Sequence, residues 1–225
     1  MTTSRSSATR TGLLGLAAGV VLLVLLGGFA IGLPKVDGAG SAPSLPDTLP
    51  GGLRAVELVA RDAANGGGQD AAQAQEFLSK QEQISDSAVK ALEGQYDAPV
   101  ALRAYQGDVL PQAQGQAQQG QQQTRTQLTV TVIDAPAGPF LPQGPVPDPA
   151  TYGAARGTYS LESIGDGRCS LAWAQAVPQG QPVDPNEVPQ SVYCQVGHGE
   201  RTYLGIGNGL TGQQVVDLLD GLAKG

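Results

Sequence analysis

SVYCQVGHGERTYLGIGNGLTGQQVVDLLDGLAKG, residues 191–225, holds two alternating runs, a tight turn and an amphipathic helix in unbroken series. Ser191–Gly197 and Thr202–Gly207 read as the strands of a hairpin turning at His198-Gly199-Glu200-Arg201. Val192, Cys194 and Val196 share one face of the first strand, because side chains alternate along a strand. Thr211 and Gln214 have the spacing of an N-cap and its capping-box partner, and Leu210 and Val215 that of the hydrophobic staple around it. Val215, Leu218, Leu219 and Leu222 then form one apolar stripe, and Lys224 stands at the favourable end of the helix dipole. A hairpin running into such a helix predicts a helix packed on an antiparallel sheet.

Upstream, Thr158–Ile164 and Arg168–Val177 read as a second hairpin about Gly165-Asp166-Gly167, with Cys169, Leu171 and Trp173 on one face. A proline-rich loop, 178–190, separates the two hairpins. If their strands are neighbours the two sulfurs meet, and a pair of cysteines in an exported domain points to a disulfide, Cys169–Cys194. Closing a loop of about 25 residues stabilises by ~3–4 kcal/mol in the chain-entropy description. Ala98–Tyr105 and Gln127–Ile133 alternate and read as two further strands. The glutamine-rich tract between them predicts a disordered insertion over 110–126. A second disordered loop is expected over 134–151, where Pro136, Pro139, Pro142, Pro145, Pro147 and Pro149 would also suit docking as polyproline II.

Asp70–Glu93 has helical periodicity: Ala74, Phe77, Ile84, Ala88 and Ala91/Leu92 recur near one face. Glu76/Lys80 and Asp86/Lys90 are i,i+4 pairs in the favourable order, and Gly94 is expected to close the helix. Leu53–Ala64 fits a short helix or a strand, and periodicity does not separate the two.

At the other end, Gly12–Leu33, GLLGLAAGVVLLVLLGGFAIGL, carries no charge, amide or hydroxyl. As a helix it is long enough for a hydrocarbon core of ~30 Å, and it predicts a transmembrane helix with the lipid bilayer as its partner. The run exceeds a usual signal-peptide core, and Ala30-Ile31-Gly32 is a poor cleavage site, so an uncleaved anchor is expected. Arg5 and Arg10 place residues 1–11 in the cytoplasm as a short arm and the C-terminal domain outside it, in a single-pass cell-membrane protein. Gly15/Gly19 and Gly28/Gly32 are small-xxx-small pairs suited to a helix–helix contact, on different faces of the helix. Residues 34–52, rich in Pro, Gly and Ser, read as a flexible linker to an extracytoplasmic domain over 53–225. Leu45-Pro46-Asp47-Thr48 begins like a sortase motif, but Leu49 stands where that motif needs Gly, and the membrane segment lies on the wrong side.

The formal net charge of −7 argues against nucleic acid and against adhesion to anionic lipid surfaces. His198, the single histidine, lies in a Gly-His-Gly turn without any nucleophile signature around it. The carboxylates are dispersed, and no metal-ligand spacing is present. Gly205-x-Gly207-x-Gly209 departs from the dinucleotide fingerprint in its third glycine and reads as a strand-to-helix turn. No catalytic residue, cofactor or metal is therefore expected, and the chain does not read as an enzyme.

In order, the chain shows an anchor, Leu45-Pro46-Asp47, a helix, strands near Val100–Tyr105 and beyond, a cysteine-bearing hairpin (Cys169…Cys194), Tyr203-Leu204-Gly205-Ile206-Gly207, and a closing helix. This layout resembles a loose group of single-pass envelope proteins of unknown function from high-GC Gram-positive bacteria; the long Gln- and Pro-rich insertions depart from it. The resemblance implies fold and location and brings no activity. The expected fold class is α+β: an N-terminal transmembrane helix, then a small antiparallel sheet packed by an N-terminal and a C-terminal helix, with one disulfide. The expected function is a binding or scaffolding module of the cell envelope that engages an envelope protein or a cell-wall partner. The alternative is an extracytoplasmic sensor or regulator acting through its membrane helix.

Overall fold

The stretch Leu53–Ala64 turns out to be both a strand and a helix. Strand β1 (Thr48–Leu49) turns through Pro50-Gly51-Gly52 into β2 (Leu53–Ala55), which runs directly into helix α1 (Val56–Asn65). Gly51 and Gly52 adopt φ of 82° and 77°, conformations that cost glycine little. Residues 43–66, 69–107, 125–142 and 146–225 are described in a computed structural model. Ser41–Gly225 forms one unit of the chain and Met1–Gly40 another, the latter outside the described residues.

Helix α2 (Gln69–Tyr96) follows α1, and then come β3 (Val100–Gly107) and β4 (Thr126–Ile133). A 3-10 turn at Pro149–Tyr152 precedes β5 (Ala154–Arg156), β6 (Tyr159–Ile164), β7 (Gly167–Ala172) and β8 (Val177–Pro178). β9 (Ser191–His198), β10 (Arg201–Asn208) and α3 (Gly212–Lys224) complete the chain. Eight strands form one sheet in the order β1-β2-β3-β4-β10-β9-β7-β6, every pairing antiparallel, while β5 and β8 make a separate two-stranded ribbon.

Register fixes what shares a face. Arg103, Val130, Gly205, Cys194, Cys169 and Glu162 lie in one row across β3, β4, β10, β9, β7 and β6. Paired residues project to the same side of a sheet. The three helices of the described residues meet this side: Arg103 reaches Glu57 of α1, α2 borders a cavity with Ala101 and Arg103, and α3 covers Gly205 and Gly207. The core, including Leu128, Val130, Val132, Val192, Val196, Val215 and Leu219, fills the space between helices and sheet. Segment 134–140 crosses the opposite face. There Thr202 donates to the Ala135 carbonyl at 2.8 Å, Gln195 donates to the Gly138 carbonyl at 2.8 Å, and Phe140 stacks on Tyr193 at 5.3 Å.

The fold class expected from sequence needs correction. It included a transmembrane helix, but among the described residues no helix is long and apolar enough to cross a membrane. The physical reason is plain for each: α1 and α3 span 10 and 13 residues, and α2, though 28 residues long, carries Glu76, Lys80, Glu82, Asp86, Lys90 and Glu93. Gly12–Leu33, with Gly15, Gly19, Gly28 and Gly32, lies outside the described residues. The sheet is also larger than expected, and among the described residues three helices rather than two pack on it.

Other boundaries move as well. α2 continues through Gly94 and ends at Tyr96, where Asp97 takes a left-handed φ of 50°. One glycine costs a helix interior only ~1 kcal/mol, which packing against α1 and β3 offsets. Of the face expected to be buried on α2, Ala74, Ala88 and Leu92 are half-buried, whereas Phe77 and Ile84 point outward, 45% and 61% exposed. The expected linker includes β1, and the expected disordered loop 134–151 includes the packed segment 134–140 and the 3-10 turn. Most of 110–126 lies outside the described residues.

Candidate functional site

Arg103 stands at the middle of β3, on the helix-covered side of the sheet, with its side chain only 18% exposed. A guanidinium held there needs acceptors for its fork of donors. It finds them on two elements that precede it. Nε donates to Glu57 at 2.6 Å, Nη1 to the Leu45 carbonyl at 2.6 Å, and Nη2 to the Asp47 carboxylate at 2.7 Å. Two residues on, the Tyr105 hydroxyl donates to the Pro46 carbonyl at 2.9 Å. Leu45-Pro46-Asp47 is thus gripped at every residue, and Ala55 N–H closes the grip on the Asp47 carbonyl at 2.9 Å.

Burial lowers the Arg103 pKa, but the hydrogen bonds to Asp47 and Glu57 raise it by more, so the group sits above its ordinary value and stays charged. Burial likewise pushes the Tyr105 phenol up, to about 12, against the smaller opposing effect of Arg103.

This clamp forms one wall of a cavity of about 690 Å³ between the helical hairpin and β3. Leu45, Leu78, Val89 and Ala101 give it apolar surface, while Gln75, Ser79, Glu82, Ser85 and Asp86 of α2 line it with amides, hydroxyls and carboxylates. Arg61 of α1 contributes a guanidinium that has no ion pair among the described residues. The volume falls within the ~300–1,000 Å³ of small-ligand pockets, and the mixture of apolar floor and convergent polar groups is the usual composition of such sites. Its chemistry is that of multiple neutral hydrogen bonds plus charge recognition of either sign.

The residues singled out from sequence lie elsewhere. Cys169 and Cys194 form a disulfide, S–S 2.06 Å, between directly paired positions of β7 and β9 beneath the start of α3. His198 is exposed at the tip of the β9–β10 hairpin and does not line the cavity. Gly205 and Gly207 serve close packing: a Cβ on Gly205 would lie 2.8 Å from Val215 Cγ1, and one on Gly207 3.1 Å from Leu210 Cδ1. Gly209, with φ of 72°, makes the turn into α3. A second buried cation, Arg156, stacks 3.8 Å over Trp173 and pairs with Glu187 at 2.7 Å, fastening the loop after β8.

Sequence reading missed the clamp and the cavity. Two signals were present: an arginine amid the apolar residues of an alternating strand, and the Leu45-Pro46-Asp47 motif, which was assigned to a linker. No protein-family model, curated protein or solved structure matches the chain.

Proposed function

We propose that this fold is a non-enzymatic binding module of the cell envelope, and that the cavity under the helical hairpin takes a hydroxyl- and amide-rich segment of a wall component. The observation that carries this reading is the cavity itself, with its hydroxyls, amides and carboxylates set above an apolar floor. Such a surface suits glycan or peptide groups, which present many hydrogen-bonding partners around a partly apolar frame. The buried disulfide supports residence outside the cytoplasm.

The test is cosedimentation of the full chain with purified cell wall, beside a Ser79→Trp variant that fills the cavity from an exposed position of α2. Retention of the wild type and loss of it in the variant are expected. If the wild type stays in solution, or the variant sediments equally, the reading is overturned. Crosslinking in intact cells followed by mass spectrometry then shows whether a protein occupies the site instead.

A further inference from the structure

The two edges of the eight-stranded sheet are unlike. One ends in β1, only two residues long. The other ends in β6, six residues, Tyr159-Ser160-Leu161-Glu162-Ser163-Ile164, paired only with β7 among the described residues. Trp173 N–H donates to the Thr158 carbonyl at 2.8 Å, which fixes the alternation of the β6–β7 ladder. Ser160, Glu162 and Ile164 therefore exchange hydrogen bonds with β7, whereas Tyr159, Leu161 and Ser163 direct their N–H and C=O groups outward. Tyr159 and Leu161 are 39% and 51% exposed, on the sheet face away from the helices.

Natural edges are usually blunted by proline, charged residues (lysine above all), a bulge, a covering element or brevity. β1 is blunted by brevity; β6 has no proline, lysine or bulge, and its single charge, Glu162, lies on the helix-bearing side of the sheet. We infer that β6 is an interaction edge that pairs antiparallel with β6 of a second copy of this chain, joining two sheets about a two-fold axis at Leu161. The strand is self-complementary in that register. Leu161 faces Leu161 of the second copy, Tyr159 faces Ser163, and Glu162 faces Ser160, so no like charges stand opposite each other. The contact is isologous and closes at two copies. It lies apart from the cavity and stands independently of the function proposed for it.

Cysteine crosslinking in cells expressing the full chain tests this. In a hydrogen-bonded antiparallel pair the facing Cα atoms are ~5.5 Å apart, within disulfide reach. Leu161→Cys should give a covalent homodimer under mild oxidation, seen on a non-reducing gel. Tyr159→Cys alone should not, since its counterpart is displaced by about 13 Å along the strand. Coexpressed Tyr159→Cys and Ser163→Cys chains should crosslink to each other. Absence of the Leu161→Cys dimer, an equally strong Tyr159→Cys dimer, or a mixed disulfide with a different protein would each overturn the inference.

Discussion

Arg103 donates a 2.6 Å hydrogen bond from Nη1 to the carbonyl of Leu45, a residue 58 positions earlier in the chain. That contact ties the entry of the fold to the middle of β3 and sets one wall of the cavity. It also explains why Leu45-Pro46-Asp47 behaves as part of the domain. An extended segment offers a carbonyl, a carbonyl and a carboxylate in succession, and the side chains of Arg103 and Tyr105 take all three.

Replacing Arg103 removes three charge-assisted contacts and leaves Glu57, 29% exposed, facing the cavity without its cation. Arg103→Ala should therefore lower stability by ~2–4 kcal/mol, within the range for breaking partly buried ionic networks. Arg103→Lys should recover only part of this, because one ammonium cannot match the planar fork. Chemical denaturation gives the stability change, and hydrogen exchange at Leu49 and Ala55 should rise in the alanine variant as the segment is released.

Tyr105 confers a pH dependence at the alkaline end. Its phenol titrates at about 12 in the fold against an ordinary value of 10.0, chiefly because burial disfavours the phenolate. The unfolded chain thus loses this proton first. Stability from this group is fully present below pH 10 and falls as pH rises from about 10 through about 12. Tyr105→Phe should flatten that part of the profile while costing ~1 kcal/mol at neutral pH through loss of the bond to the Pro46 carbonyl. Thermal melts across pH 8–12 with both proteins test it.

What was legible in the sequence is local. The β9–β10 hairpin needs a two-residue loop with positive φ at its start, and Gly199 supplies it at 59°. The start of α3 is written in Thr211 and Gln214, whose reciprocal bonds measure 3.2 and 2.8 Å. The Cys169–Cys194 pairing followed from two alternating strands once they were taken as neighbours. The rotation of α2 was not legible. Ala74, Ala88 and Leu92 of the expected face are half-buried, but Phe77 and Ile84 point outward, because the inward stripe lines a cavity and so mixes Leu78 and Val89 with Glu82 and Ser85. The clamp was hidden for another reason. Glu57, Asp47 and Leu45 lie 46 to 58 positions from Arg103, and no spacing rule connects them.

Gly205 offers a clean test of helix-on-sheet packing. A Cβ there would come within 2.8 Å of Val215 Cγ1 and 3.3 Å of Leu219 Cδ1, both on the buried side of α3. Gly205→Ala should destabilise by ~1–3 kcal/mol through overpacking, against a small gain from reduced freedom of the unfolded chain. Val215→Ala removes the methyl groups in the way, so the double variant should be more stable than the sum of the two single effects predicts. A double-mutant cycle by urea denaturation measures that coupling, and additivity would show that the helix moves away instead.

The disulfide should be a large single contributor to stability, set within the core itself. It joins β7 and β9 across 25 positions, with both cysteines fully buried beneath α3. The strands it links are already hydrogen-bonded neighbours, so the bond adds no new geometry to the native state. Its effect falls on the unfolded chain, where it removes a loop-closure entropy of ~3–4 kcal/mol. The double variant Cys169→Ala/Cys194→Ala should keep the same sheet and lose about that much, whereas reduction of the wild type should be slow until the domain opens. Denaturation of the variant beside the oxidised wild type gives the energy, and thiol alkylation against time gives the accessibility. Rapid alkylation under native conditions would mean that α3 lifts from the sheet far more readily than its four buried residues, Gly212, Val215, Val216 and Leu219, suggest.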